Sequence, residues 1–229
     1  MTEEQAQDWL RRQGWWDGEA GQRLRQLAAL VLEEADRQNL ISAASRAEIW
    51  ARHMVDSAQL LTLAQGRADD ASHWVDLGTG AGFPGLVVAC LRKAPISLVE
   101  MRPLRVTFLE RAARELGLDH VEVLGCKVEK VALDAPAGII SARAYAPLDR
   151  LLQTAHHLAD ENTVWLLPKG RNGEKELAIA RQRWQAVFHV EQSLTDADSA
   201  IIIARDLTPR LTPKRSGKPM NSRKNRRAK

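Results

Sequence analysis

The chain has 229 residues, 45% of them hydrophobic, which is enough for one substantial core with a small additional lobe. No apolar run approaches the roughly 20 residues of a membrane span, and the polar residues 1–5 do not resemble a secretory signal, so we expect a cytoplasmic protein without a membrane partner. The net charge of +4 is uneven, because nine of the 33 basic residues and no acidic residue lie in 209–229, leaving 24 basic against 29 acidic residues before them.

Three helices are predicted before the first strand, at Glu3–Arg12, at Gly21–Gln38 and from Ser45 to about Ala64. The second has leucine, valine and alanine at helical spacing along one face. The third begins with Ser45-Arg-Ala-Glu48, the pattern of a capping box. We therefore predict an N-terminal helical region, residues 1–65, that packs on the domain after it.

Strands and helices then alternate along the chain. The predicted strands are 73–78, 96–100, 121–125, 138–143, 163–167, 187–194 and 199–206, and the helices between them are 83–92, 103–117, 147–159 and 173–185. Strands separated by helices predict a parallel, doubly wound sheet, whereas the short polar link 195–198 predicts an antiparallel hairpin at its edge. We expect an α/β, Rossmann-like fold over residues 66–208, with a seven-stranded, mostly parallel sheet and helices on both faces.

A glycine-rich turn follows the first predicted strand. Asp76 lies near the end of this strand, and Gly78, Gly80 and Gly82 come next at every second position. Glycines expose backbone N–H groups to a ligand at the start of a helix. The second strand ends at Glu100, where a carboxylate can bind a ribose diol. The pattern predicts a site for a nucleoside cofactor.

Three interpretations of the turn differ in the ligand. Gly80-x-Gly82-x-x-Gly85 matches a dinucleotide-binding motif, and a turn without any ligand is the third possibility. S-adenosylmethionine is favoured because Asp76 would repel a pyrophosphate but could meet a cationic amino acid group, and because Pro84 stiffens the start of the helix. Neither cysteine has metal-ligand spacing, so no metal is expected.

Further polar residues fall at the predicted carboxyl ends of the strands, where such sheets bind ligands. We hypothesise that Arg143 and Lys169 line the ligand site at this edge and act by positioning. The alternatives are a salt bridge for Arg143 and an ordinary turn for Lys169. His53, on the third helix, is interpreted first as a packing residue and second as an RNA contact.

The basic segment 209–229 has almost no apolar residues, so we expect it to be disordered when free. Its charge favours contact with an RNA backbone, and a merely solubilising tail is the alternative. The RNA-contact candidates in it are Arg215, Arg223, Lys224, Arg226 and Arg227.

Five segments together closely resemble the bacterial RsmG family, also called glucose-inhibited division protein B, over roughly Leu24 to Arg205. They are Asn39-Leu-Ile-Ser42, Arg52-His-Met-Val-Asp-Ser57, Val75-Asp-Leu-Gly-Thr-Gly-Ala-Gly-Phe-Pro-Gly85, Ser141-Ala-Arg-Ala-Tyr-Ala-Pro147 and Leu167-Pro-Lys-Gly170. The resemblance implies a methyltransferase that uses S-adenosylmethionine to methylate N7 of one guanine, position 527 in the 530 loop of 16S ribosomal RNA. Its partner would be the small ribosomal subunit, and we expect it to act as a monomer.

The resemblance also implies particular contacts. Gly78, Phe83, Val128, Glu129 and Arg143 would contact S-adenosylmethionine. Lys127 stands where the family commonly has arginine, so a bidentate contact is lost there, although RNA binding is still predicted.

The chain lacks two devices of other methyltransferases, an Asn/Asp-Pro-Pro-Tyr loop after the fourth strand and a suitably placed cysteine nucleophile. Guanine N7 needs neither, because its lone pair is free. We therefore expect Arg143 and Lys169 to line the junction of methyl donor and RNA. The alternatives are a methyltransferase of another RNA, a protein or a small molecule, and a non-catalytic ribosome-binding protein.

Overall fold

Helices fill the N-terminal part of the chain and alternate with strands in the rest, in a computed structural model that describes residues 1–210. The helices are α1 (Glu3–Arg12), α2 (Gly18–Glu34), α3 (Ala43–Arg46), α4 (Asp56–Ala64), α5 (Gly85–Leu91), α6 (Pro103–Glu115), α7 (Leu148–Ala155) and α8 (Gly173–Arg183). A π-helix, Trp50–Val55, precedes α4, and two 3-10 turns lie at Val128–Lys130 and His156–Leu158. The strands are β1 (Trp74–Leu77), β2 (Ile96–Val99), β3 (Val121–Leu124), β4 (Ile139–Ser141), β5 (Val164–Lys169), β6 (Trp184–Gln192) and β7 (Ala200–Pro209).

The strands form one seven-stranded sheet in the order β3-β2-β1-β4-β5-β7-β6. The first five strands are parallel to one another, and β7 is antiparallel to both β5 and β6. The predicted α/β fold, with its mostly parallel sheet and terminal hairpin, is confirmed.

Alternate residues of the central strands pack on opposite faces of the sheet. Trp74 belongs to the core under α1, α2, α4 and α5, whereas Val75 belongs to the core under α7 and α8. All four residues of β1 and of β2 are buried, as expected for parallel strands covered on both faces. The N-terminal helices therefore share one hydrophobic core with the sheet.

The third predicted helix differs most from the structure. The N-cap is Ser42, whose Oγ accepts from the Ser45 backbone N–H, and Glu48 pairs with Arg52. The predicted capping box at Ser45 is therefore wrong, and the single helix from Ser45 to Ala64 is instead divided into α3, the π-helix and α4. The second helix also begins and ends earlier than Gly21–Gln38.

No helix within residues 1–210 is both long and apolar enough to cross a bilayer. The RNA-contact candidates of the basic segment, Arg215, Arg223, Lys224, Arg226 and Arg227, lie outside the described residues.

Candidate active site

Two neighbouring cavities open at the carboxyl ends of the parallel strands. The glycine-loop cavity, about 480 Å³, is lined by the turn after β1, the end of β2 and the segment after β3. The β5 cavity, about 540 Å³, is lined by the ends of β4 and β5 and the start of β7. The segment Ala144–Pro147 lines both cavities and separates them. Each volume suits a ligand of nucleoside or nucleotide size.

Gly78 lines the glycine-loop cavity and needs to be glycine. Its φ is +63°, and a Cβ atom there would lie 2.5 Å from Cδ2 of Tyr145. A side chain at residue 78 would clash with this ring, so the backbone of the turn stays bare at the cavity wall. Gly80 and Gly82 also have positive φ but do not line this cavity.

Asp76 supports the glycine turn from within the protein. It is fully buried, Oδ1 accepts from Ser141 Oγ at 2.7 Å, and Oδ2 accepts from the Gly85 backbone N–H at 3.0 Å. Burial is the main cause that raises its pKa, and these hydrogen bonds act against it. Asp76 lines neither cavity, so its contacts indicate a supporting role, and direct contact with a cofactor stays a prediction.

Glu100 lines the glycine-loop cavity at the end of β2. Oε1 accepts from the backbone N–H groups of Met101 and Arg102, at 2.8 and 2.9 Å, and Oε2 accepts from Gly80 at 3.2 Å. A carboxylate has about four acceptor positions, so one remains for a ligand hydroxyl. The predicted ribose carboxylate is thus held rigidly at the cavity wall.

The predicted contacts after β3 also lie at the glycine-loop cavity, where Lys127, Val128 and Glu129 form one wall. Three cations not singled out from the sequence share this cavity: Arg102, Arg105 and Arg150. Arg105 lies on α6, five residues after Glu100, and its guanidinium is 3.7 Å from the Glu100 carboxylate.

Arg143 joins the end of β4 to the π-helix. Its guanidinium donates to the Arg52 carbonyl at 3.0 Å, to Asp56 Oδ2 at 3.1 Å and to His53 Nδ1 at 2.9 Å. The salt bridge considered for Arg143 is therefore present, and the side chain also lines the β5 cavity. Two motifs far apart in the sequence, Arg52–Ser57 and Ser141–Pro147, meet through this one side chain.

His53 is buried and stacks on Phe83, with ring centroids 4.6 Å apart and 12° between the planes. Burial, and then Arg143 and Arg52, lower the pKa of His53 to about 3, so the ring is neutral. Because arginine can only donate, Nδ1 accepts and Nε2 carries the proton. These contacts fit the packing interpretation, and the RNA contact stays a prediction. Phe83 is also buried and lines neither cavity, so its predicted contact with the cofactor stays a prediction.

Lys169 stabilises the C-terminal part of the loop after β4. Its Nζ donates to the Ala146 carbonyl at 2.8 Å and pairs with Glu176 Oε2 at 2.9 Å. The same Glu176 oxygen accepts from the Leu148 backbone N–H at 2.7 Å. Lys169 is only 9% exposed and lines the β5 cavity, as the positioning hypothesis requires. Glu176, on α8, carried no signal in the sequence because its partners are distant along the chain.

A family model described as rRNA small subunit methyltransferase G (GidB) matches residues 20–203. A protein of Sphingopyxis alaskensis named ribosomal RNA small subunit methyltransferase G is 47% identical over 216 residues, which cover 94% of this chain and 90% of that protein. A protein of Novosphingobium aromaticivorans with the same name is 45% identical over 206 residues, 90% of this chain and 89% of that protein.

Solved structures of low sequence identity share the fold. A SAM-dependent methyltransferase from Aquifex aeolicus has a TM-score of 0.52 at 17% identity and covers 67% of this chain and 90% of its own. A mutant of MtNAS in complex with S-adenosylmethionine has a TM-score of 0.56 at 15% identity and covers 80% of this chain and 74% of its own.

Proposed function

The chain belongs to the rRNA small subunit methyltransferase G family, and we propose that it transfers a methyl group from S-adenosylmethionine to N7 of one guanine, position 527 in the 530 loop of 16S ribosomal RNA. The observation that carries this proposal is the pair of cavities separated only by Ala144–Pro147. A reaction between two ligands needs such adjacent sites, because proximity and alignment supply most of the catalysis that it requires.

The glycine-loop cavity fits the methyl donor. Gly78 presents bare backbone, Glu100 has an acceptor position left for a ribose hydroxyl, and Val128 and Glu129 also line the cavity. When bound, S-adenosylmethionine supplies a methyl group on a sulfonium, which the N7 lone pair can take without any proton transfer. The cavity residues then have to hold and align the cofactor, and no acid or base is needed.

The β5 cavity supports the acceptor role through its charges. Arg143 and Lys169 have N–H groups beyond those used in their contacts with the protein, and these can bind oxygen atoms of a base or phosphate. Asp56 and Glu176 line the same cavity and favour the positive charge that the base gains on methylation. Arg143 and Lys169 act by positioning.

The proposed partner is the small ribosomal subunit, on which the enzyme acts as a monomer in the cytoplasm. RNA contacts by Lys127 and by the basic segment 209–229 are part of the proposal and rest on charge.

The test is transfer of labelled methyl groups from S-adenosylmethionine to small subunits that lack the modification. RNase digestion is expected to release the label, whereas protease digestion is expected to leave it in RNA. Label released only by protease would contradict the proposal in favour of a protein substrate. Measurable binding of S-adenosylmethionine without transfer to subunits or to protein-free rRNA would contradict the proposed acceptor.

A further inference from the structure

Tyr145 lies where the two cavities meet and lines both. The ring packs directly against Gly78, at the position that a Cβ atom of residue 78 would otherwise take. The residue before it, Ala144, has a φ of +53°, a left-handed conformation that is uncommon for alanine. This backbone turns the tyrosine ring between the cavities, and such strain persists only where surrounding contacts hold it.

Those contacts lie on both sides of the ring. On one side, Arg143 makes two hydrogen bonds to the π-helix and one to Asp56 at the start of α4. On the other side, Lys169 holds the Ala146 carbonyl and Glu176 holds the Leu148 N–H. Both ends of the loop are therefore held in place, and the ring has a defined position before any ligand binds.

The β5 cavity has the chemistry of a pocket for a flat base. Tyr145, Pro168 and Ile201 give it apolar walls, while Arg143 and Lys169 bring N–H donors to its rim. Guanine is distinctive because N7 and O6, on one edge of the base, are both acceptors. A base reaches such a pocket only after it has left its stack in the RNA.

We propose that the β5 cavity takes the unstacked target guanine and that Tyr145 is the positioning residue that sets the base against the methyl donor, an inference that rests on the proposed function. The N7–carbon bond forms as the carbon–sulfur bond breaks, and no proton moves. The ring acts through its face and not its hydroxyl. Burial, and then Glu129, raise the pKa of Tyr145, so the phenol stays neutral.

Single-turnover methylation of small subunits at saturating S-adenosylmethionine tests the role of the ring. Tyr145→Ala is expected to lower the rate constant about 10- to 100-fold, the range of a lost base–aromatic stack, and Tyr145→Phe to recover most of it. Phe188→Ala is the matched control, because this half-buried aromatic residue of β6 lines neither cavity. A normal rate for Tyr145→Ala would overturn the proposal, and so would equal losses for Tyr145→Phe and Tyr145→Ala, since only the phenol hydroxyl distinguishes Tyr145→Phe from the native protein.

A second readout uses the fact that Tyr145 is the single tyrosine of the chain. Protein labelled with 3-fluorotyrosine gives one ¹⁹F resonance, which reports on this ring alone. S-adenosylhomocysteine is expected to shift it through the glycine-loop cavity, and guanosine monophosphate at millimolar concentration to shift it further, with cytidine monophosphate causing a smaller change. A resonance that moves with S-adenosylhomocysteine but is unaffected by either nucleotide would contradict the guanine pocket.

The two proposals fail in different ways. If the native protein does not methylate small subunits at all, the proposed function is wrong. If the native protein methylates them and Tyr145→Ala does so equally well, the function stands and only the role of Tyr145 is lost.

Discussion

At the scale of single residues, Gly78 and Gly66 share a left-handed backbone but differ in their surroundings. Their φ angles are +63° and +68°, yet a Cβ atom on Gly78 would strike Tyr145, whereas one on Gly66 would meet nothing within 4 Å. Substitutions at these two positions therefore distinguish the effect of backbone strain from the effect of lost space at the glycine-loop cavity.

We predict that Gly78→Ala weakens binding of S-adenosylhomocysteine about 10-fold or more, because the added methyl group pushes the ring or the turn out of place. Gly66→Ala is expected to lower the free energy of unfolding by about 1–2 kcal/mol through its backbone and to leave the affinity unchanged. Isothermal titration calorimetry and urea unfolding measure the two effects. Equal affinities of the two variants would contradict the proposed role of Gly78 at the glycine-loop cavity.

His53 provides a prediction about pH. Its pKa is about 3 in the folded protein against 6.5 ordinarily, so between these values the unfolded chain binds a proton that the folded chain does not. Stability therefore rises with pH over this window and is lost on acidification.

Between pH 7 and pH 5, the native protein should lose about 2 kcal/mol more of its free energy of unfolding than His53→Gln, which keeps an acceptor for Arg143 but does not titrate. Urea unfolding at the two pH values measures the difference. Parallel losses in the two proteins would show that His53 is not held neutral by its surroundings.

At the scale of structural elements, Arg143 is what fixes the π-helix to the end of β4. It makes three contacts in different directions, and a lysine ammonium at the same place cannot match the planar guanidinium. A π-helix at this position also fits the frequent occurrence of such turns at functional sites.

Arg143→Lys is expected to lower the single-turnover rate 10-fold or more and the free energy of unfolding by about 1–3 kcal/mol, because Asp56 and His53 lose their donors. Arg171→Lys is the control, since Arg171 pairs with Asp198 at the surface and is 83% exposed. It should change the free energy of unfolding by less than about 0.5 kcal/mol. Similar effects of both substitutions would contradict the special role of Arg143.

The π-helix also marks where reasoning from the sequence failed. For the majority of strand ends, the bounds predicted from periodicity lie within one or two residues of the observed bounds. Buried parallel strands are short apolar runs with clear boundaries. The break at Trp50 was not visible, because the Glu3 carboxylate accepts from the backbone N–H groups of Trp50 and Ala51 across 47 and 48 residues. Local sequence patterns contain no information about such distant partners.

In the candidate site, too, local sequence signals predict some residues, whereas others depend on contacts that are distant along the chain. Gly78 and Glu100 were placed at a cavity because strand ends and glycine spacing are local signals. Asp76 is fully buried on β1, which is covered on both faces, so its contact with a cofactor stays a prediction. Tyr145 acquires its role only from the contact of two loops.

At the scale of the whole molecule, the basic segment begins far from the cavities. Strand β7 starts beside Lys169, at the carboxyl end of β5. It ends at Pro209, beside Trp184, at the opposite end of the strands. Its ten residues span about 30 Å at the usual rise of a strand. We therefore expect the segment to act on overall affinity for RNA and not on the chemistry.

Removing residues 211–229 deletes eight of the nine basic residues of the segment. Binding to small subunits should weaken several-fold, and the slope of log affinity against log salt concentration should become flatter. A segment of the same length with serine at these eight positions is the control for charge. Filter binding over a range of salt concentrations measures both effects, and an unchanged slope would favour a purely solubilising role.

The most direct test of the central claim is the position and identity of the methylated nucleoside. Small subunits lacking the modification are incubated with the protein and labelled S-adenosylmethionine, and their rRNA is digested and mapped by mass spectrometry. We predict a single 7-methylguanosine, at position 527 in the 530 loop of 16S rRNA. Label in another nucleoside, or in a guanine elsewhere, would contradict the account of two adjacent cavities that align one guanine N7 with the methyl donor.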